Sequence, residues 1–261
     1  MSLAGELLER AARAMPAAVE DRSSGWWLRH TDGGAWWSGA VLAHDATGSD
    51  LSERIVAAER FYAEHRATPR FQVCDGCPPG LDPLLAGRRY RWDSPISLRV
   101  TSCDEAVEPP QLPGFQVRVA SEFDLAWLAV QSSAGTPEAS AAQEARLLRR
   151  VQLPSAYVTV FAGPEPVAVG RAVADDGWTG VFSMATAPQA RRRGAARLVL
   201  AVIASWARDQ GAPRLYLQVE RSNAPAARLY GATGFTEIAT YHYRVGNRPA
   251  LAGSRTGQRR E

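Results

Sequence analysis

Lysine is missing from this chain altogether: all 30 basic residues among its 261 are arginine. No lysine nucleophile or self-acylation site is therefore available. Against 27 acidic residues the arginines leave a formal charge of only +3, too little for an electrostatic footprint on nucleic acid. Cysteine is scarce as well. Cys74, Cys77 and Cys103 are too few for a disulfide framework, and no second pair stands near Cys74-x-x-Cys77 to complete a zinc ligand set. That pair could be redox active or bind metal, but it lies at the end of an expected strand and is read as packing, so no metal is expected. No apolar run approaches the ~20 residues of a membrane span. The amino-terminal stretch is amphipathic and charged rather than signal-like, so a cytoplasmic protein without a membrane partner is expected.

What is present is a chain long enough for two small cores. Residues 2–15 have a helical stripe of Leu3, Leu7, Leu8 and Ala11, with Pro16 beyond its end. Two tryptophan pairs, Trp26-Trp27 and Trp36-Trp37, flank Thr31-Asp32-Gly33-Gly34. This is a hairpin signal that would bring four indoles together, with packing favoured over ligand stacking. A helix over 51–66, a strand at 71–73, a short helix over 81–86 and a strand over 90–100 follow. Three prolines within 109–113 then mark a linker at 108–114. The expected division is an amino-terminal unit at 1–107, a second domain at 115–246 and a flexible tail at 247–261.

After the linker the pattern gives a strand over 115–120 and a helix over 121–131 with Ser121 as its N-cap. A second helix over 138–151 carries Glu138, Glu144, Arg146, Arg149 and Arg150. Charges on a helix are usually a solvated face. A hairpin across 163–166 leads to a strand over 179–186. Next comes the turn Arg191-x-x-Gly194-x-Ala196, then a helix with Leu198, Val199, Val202, Ile203 and Trp206 on one side and Gly211 as its stop. A further strand puts Leu215, Leu217 and Val219 on one face and Tyr216, Gln218 and Glu220 on the other, and a last strand runs over 235–245. A turn relieved of bulk between strand and helix points several backbone N–H groups at one spot, where the helix dipole favours an anion. A phosphate is expected there.

Thr186-Ala187-Pro188, Arg191-x-x-Gly194-x-Ala196, Asn223-x-x-Ala226-x-x-Leu229-Tyr230 and Gly234-Phe235, in that order, resemble the signature of the GNAT superfamily of acyl-CoA-dependent N-acyltransferases. The resemblance covers residues 115–245, with Ala196 standing where that family more often has Gly. It implies an α+β GNAT fold, a mixed, mostly antiparallel central sheet flanked by helices. The part before it is similar to the degenerate first halves of tandem GNAT proteins, a smaller α/β unit without a pyrophosphate turn. The resemblance further implies that the amides of Arg191, Arg192, Arg193, Gly194, Ala195, Ala196 and Arg197 hold the CoA pyrophosphate. Backbone at Met184, Ala185 and Thr186 would pair with pantetheine and Asn223 would hydrogen-bond it.

Transfer of an acetyl group from acetyl-CoA to a primary amine needs a proton donor for the leaving thiolate and a base for the ammonium. Tyr230 is the expected acid and Glu220 the first candidate base. A base on the 179–186 strand is absent, as only Ser183 there is polar with a reactive hydroxyl. Tyr241, His242 and Tyr243 could border the acceptor, with His242 either a base or, more often for a lone strand histidine, simply packed or exposed. The resemblance also implies that the loop and helix over 132–151 form much of the acceptor pocket, so Glu138, Glu144, Arg146, Arg149 and Arg150 could contact the acceptor. The acceptor is expected to be a small-molecule or peptide amine. The alternative is a CoA-binding regulatory module without turnover.

Overall fold

The computed structural model describes residues 2–32, 36–44, 50–105, 112–133 and 138–247. Helix α1 (Leu3–Ala14) starts where the Ser2 hydroxyl accepts from the Gly5 amide at 3.2 Å, and it buries Leu7, Leu8, Ala11 and Ala14. Short strands β1 (Val19–Asp21) and β2 (Leu28–His30) form a separate antiparallel pair. Among the described residues the expected tryptophan hairpin does not form. Residues Trp36–Gly39 make a turn of 3₁₀ helix, and only Trp27 bridges Leu42 across from it. The Tyr62 hydroxyl fixes that turn by donating to the carbonyls of Gly39 and Arg29, at 2.9 and 2.8 Å. Gly33 and Gly34 lie outside the described residues. Trp26 packs edge-on against Phe71, and Trp27 donates its indole N–H to Glu20 at 3.0 Å, so this tryptophan pair is structural.

Next come β3 (Val41–Leu42), α2 (Leu51–Glu64), β4 (Arg70–Val73), α3 (Leu81–Gly87) and β5 (Arg91–Ser102). The second half runs β6 (Phe115–Ala120), α4 (Leu125–Ser133), α5 (Glu138–Leu148), β7 (Ser155–Ala162), β8 (Glu165–Asp175), β9 (Trp178–Thr186), α6 (Ala195–Asp209), β10 (Arg214–Glu220), α7 (Ala224–Gly231) and β11 (Thr236–Val245). Ser121 is not the cap of α4. Asp124 accepts from the Trp127 amide at 2.8 Å and so starts the helix later than Ser121 would.

Nine strands form one sheet in the order β3-β4-β11-β5-β10-β9-β8-β7-β6. Its centre is an exchange between the halves. The unit β3-α2-β4 is a parallel crossover, and so is β9-α6-β10. Each is extended by the other half's last strand: β11 runs antiparallel to β4, β5 runs antiparallel to β10, and β5 and β11 pair with each other. The two halves therefore share a sheet across the 108–114 segment, of which residues 108–111 lie outside the description.

One face of the second half carries α6, whose Val199, Ile203 and Ala207 are fully buried against β7 to β10. On the other face α1 packs its leucines and alanines on Leu98, Val173, Phe182 and Tyr216. The amino-terminal helix thus serves the second half's sheet as much as its own. Helix α6 ends in a Schellman motif: Gly211, at φ +67°, sends its amide to Arg208, and Ala212 sends its amide to Ala207.

Candidate active site

Strands β9 and β10 run parallel and hydrogen-bonded from Trp178↔Arg214 only to Val181↔Leu217. Beyond that register they part, although β9 continues to Thr186 and β10 to Glu220. The cause is local. Opposite β8 the register of β9 slips between Phe182 and Ala185, and Ser183 takes φ +50° at the bulge. Such an insertion bends a strand and re-aims its side chains. Ala185 and Thr186 therefore keep their pairing to β8, while among the described residues the edge of Met184, Ala185 and Thr186 toward β10 has no strand partner. All three are half-buried, as an added extended segment requires.

The gap opens on a cavity of about 510 Å³. Met184, Val219, Asn223, Ala226 and Tyr230 face it from the second half, and Arg29, Leu42, Gln72 and Ile96 from the first, with α1 closing one side through Leu8, Ala11 and Ala12. Tyr230 is 8% exposed and stacks edge-on with Phe235. Burial pushes its phenol up to about 12. Asn223 caps α7, its Oδ1 accepting from the Ala226 amide at 3.2 Å, which leaves the Nδ2 side of the amide as the donor toward the cavity. Glu220 stands at the exposed rim, where Ser222 donates to it at 3.3 Å.

The carboxylate inside the cavity is one of the five charges on the 138–151 helix, among which the sequence reading does not distinguish it. Glu144 of α5 faces the cavity and accepts from the Ser183 hydroxyl at 3.0 Å. Burial raises its pKa, opposed by that hydrogen bond and by the nearby Arg171 charge. A signal was available: Glu144 lies three and four residues before Leu147 and Leu148, both buried, so it stands on the apolar stripe of its helix. Arg146 and Arg149 point outward, as a solvated face would. Gln131 adds a second tie to the bulge, donating to the Ser183 carbonyl. Arg171, wholly buried beneath, donates to Ala14 at the end of α1 and lies over the Phe182 ring.

Residue alternation along β11 gives His242 the packed place and not that of a base. Tyr241 and Tyr243 face the cavity, Tyr241 donating to Gln218, whereas His242 faces the other side and meets Asp82 at 2.9 Å.

At the outer end of β9 the chain makes a 3₁₀ turn over Pro188–Ala190, then takes positive φ at Arg192 (+62°) and Gly194 (+87°) before α6 starts. No side chain among the described residues caps that helix. Among the described residues, the amides of Arg192, Arg193, Gly194, Ala195 and Ala196 meet no acceptor. Alternating left-handed residues ahead of an uncapped helix gather such amides into an anion-binding hollow. Arg191 donates to the Thr186 carbonyl at 3.3 Å, Arg193 lies over the Phe115 ring, and Leu112 roofs Gly194. Arg191, Arg192, Arg193 and Arg197 are all exposed around the turn.

This arrangement agrees with what the chain resembles. The profile of a family described as "probable histone acetyltransferase Rv0428c C-terminal" matches residues 6–244, nearly the whole chain and both halves at once. The chain belongs to this family. Like the family, it is an acetyltransferase of the GNAT fold. This acetyltransferase is 27% identical over 244 residues to an uncharacterized N-acetyltransferase, YobR, of Bacillus subtilis, covering 91% of this chain and 97% of that one. Among solved structures it is similar to a GCN5-related N-acetyltransferase from Kribbella flavida, with TM-score 0.73, 19% identity and 97% of each chain covered. It is also similar to a tandem GNAT protein from the clavulanic acid biosynthesis pathway, with TM-score 0.66, 11% identity, and 85% and 78% of the two chains covered. Among the described residues no helix of this acetyltransferase is long and apolar enough to cross a membrane.

Proposed function

We propose that the protein moves an acetyl group from acetyl-CoA to a primary amine by direct attack in a ternary complex. The observation that carries this reading is the parting of β9 from β10 over a cavity that holds Tyr230, with the uncapped amides of residues 192–196 at its outer end. In this reading those amides bind the pyrophosphate, the free edge of Met184 to Thr186 takes the pantetheine as an added strand, and the Asn223 amide donates to it. Tyr230 gives its proton to the departing thiolate. A phenol near 12 facing a thiol of ordinary pKa about 8.5 would make that transfer uphill by roughly 5 kcal/mol. The burial that raises the phenol also raises the proton affinity of a thiolate formed beside it, which narrows the gap.

Glu144 replaces Glu220 as our leading base, since it is inside the cavity and its raised pKa suits proton removal from an ammonium, directly or through a water. Ser183 positions it. The walls that α1 and the first half put around the cavity favour a small amine over a peptide. A peptide acceptor, which the family's description raises, would have to enter at the Glu220 rim.

Calorimetric titration with acetyl-CoA, followed by thiol release with a panel of amines and lysine-containing peptides, tests the proposal. Tight one-to-one binding and amine-dependent thiol release are expected. Binding without release from any amine would leave a CoA-binding regulatory module instead, and no binding would remove the reading.

A further inference from the structure

Cys74 and Cys77 take no part in acyl transfer, yet three elements converge on them. Strand β4 ends at Val73 and delivers Cys74, the following turn returns Cys77, and His44 follows the end of β3. The two sulfurs stand 3.9 Å apart, and these sulfurs and a ring nitrogen of His44 all lie within 4.8 Å of one another. Tetrahedral zinc, with bonds of about 2.3 Å to sulfur and about 2.0 Å to nitrogen, needs S···S near 3.8 Å and S···N near 3.5 Å. The sulfurs already stand near that spacing, and the imidazole needs only a small shift.

His44 is 8% exposed, and among the described residues neither of its ring nitrogens has a hydrogen-bond partner. Its Nδ1 lies 3.4 Å from Glu9 Oε1, within ion-pair range but not aligned as a hydrogen bond. A carboxylate behind an imidazole in this way orients it toward a metal and leaves Nε2 for the ion. Sequence spacing does not join His44 to the cysteine pair, because it precedes the pair by some thirty residues and follows another strand.

We propose that His44 Nε2, Cys74 Sγ and Cys77 Sγ bind a zinc ion, with Glu9 as the outer carboxylate and the fourth position turned to the hollow of about 420 Å³ that both cysteines line. Binding displaces the two thiol protons to solvent and moves no electrons. The ion fastens α1 to the ends of β3 and β4. Those same elements present Leu8, Leu42 and Gln72 to the acetyl-transfer cavity, so the metal sets the acceptor wall without entering the chemistry.

Metal analysis of tag-free full-length protein and titration of the metal-free form with Co²⁺ alone test this. One zinc per chain is expected, together with thiolate-to-cobalt charge-transfer and strong tetrahedral visible bands that added Zn²⁺ abolishes. Glu9→Gln should weaken zinc about ten-fold in competition with a chromogenic chelator. His44→Ala should weaken it further, and Cys103→Ser should leave the stoichiometry intact. A folded wild-type protein without zinc and without a cobalt–thiolate band overturns the proposal, as does a Cys74–Cys77 disulfide in its place or binding indifferent to His44→Ala. The cobalt spectrum of the wild type decides even if a cysteine variant fails to fold.

Discussion

Tyr230 and Glu144 share one cavity and differ in how burial disposes of their protons. The phenol, pushed up to about 12, stays protonated across the working range, so it contributes no basic limb to the rate. Tyr230→Phe should lower kcat at least ten-fold while acetyl-CoA binding by calorimetry is nearly unchanged. Glu144 has a raised pKa and must lose its proton to act as base, so kcat/KM should rise with pH through a value above the ordinary carboxylate range. Glu144→Gln should remove that limb. The stability linkage runs the same way: a raised folded-state pKa contributes stability below the unfolded value, and that stability is lost as pH rises through the folded value. The neutral Gln should accordingly match the wild type in acid and melt slightly higher at neutral pH, which scanning calorimetry at two pH values would show.

The two ends of α6 offer a controlled comparison at the scale of an element. Gly211 at its C-terminus has φ +67° and open space around its Cβ position, so Gly211→Ala carries a backbone cost alone. About 1 kcal/mol and a fall in Tm of roughly 2–4 °C are expected, with unchanged affinity for acetyl-CoA. Gly194 at its N-terminus has φ +87° and would bring a Cβ within 3.1 Å of Leu112. Gly194→Ala should disturb the amide hollow and raise the KM for acetyl-CoA several-fold more than any Gly211 substitution does. This helix was legible because its stripe, its stop and its turn are all written locally. The Ser183 bulge that opens the gap between β9 and β10 was not legible, because nothing in Phe182-Ser183-Met184 marks a slipped register. The Asp32-Gly33 hairpin misled for a related reason. Turn residues were present, but the 3₁₀ turn at Trp36–Gly39 is fixed by Tyr62, distant in sequence and invisible to a short-range pattern.

For the whole molecule the decisive fact is the exchange of β5 and β11. Proline spacing at 108–114 reads as a joint between two bodies, and pairing partners more than a hundred residues apart leave no periodic trace. The carboxylate on α5 and the first-half wall of the cavity were hidden likewise, since both depend on tertiary placement. A chain beginning near residue 112 would leave β10 and β11 with open edges in the centre of the sheet. Expressed alone, it should be insoluble or molten by near-ultraviolet circular dichroism, whereas coexpression with residues 1–107 should restore a folded, acetyl-CoA-binding complex. A soluble, cooperatively melting fragment would contradict the exchange.

Synthesis from the amino terminus turns this exchange into a matter of timing. β5 leaves the ribosome at Ser102, and the first strand that can pair with it, β10, begins at Arg214. At about 5–20 residues per second the wait is roughly 5–20 s, during which a twelve-residue strand has neither neighbour. A nascent chain of this kind has to be shielded by a chaperone or risk sticking to its siblings, and recombinant yield should respond to translation speed more than to the stability of the finished protein.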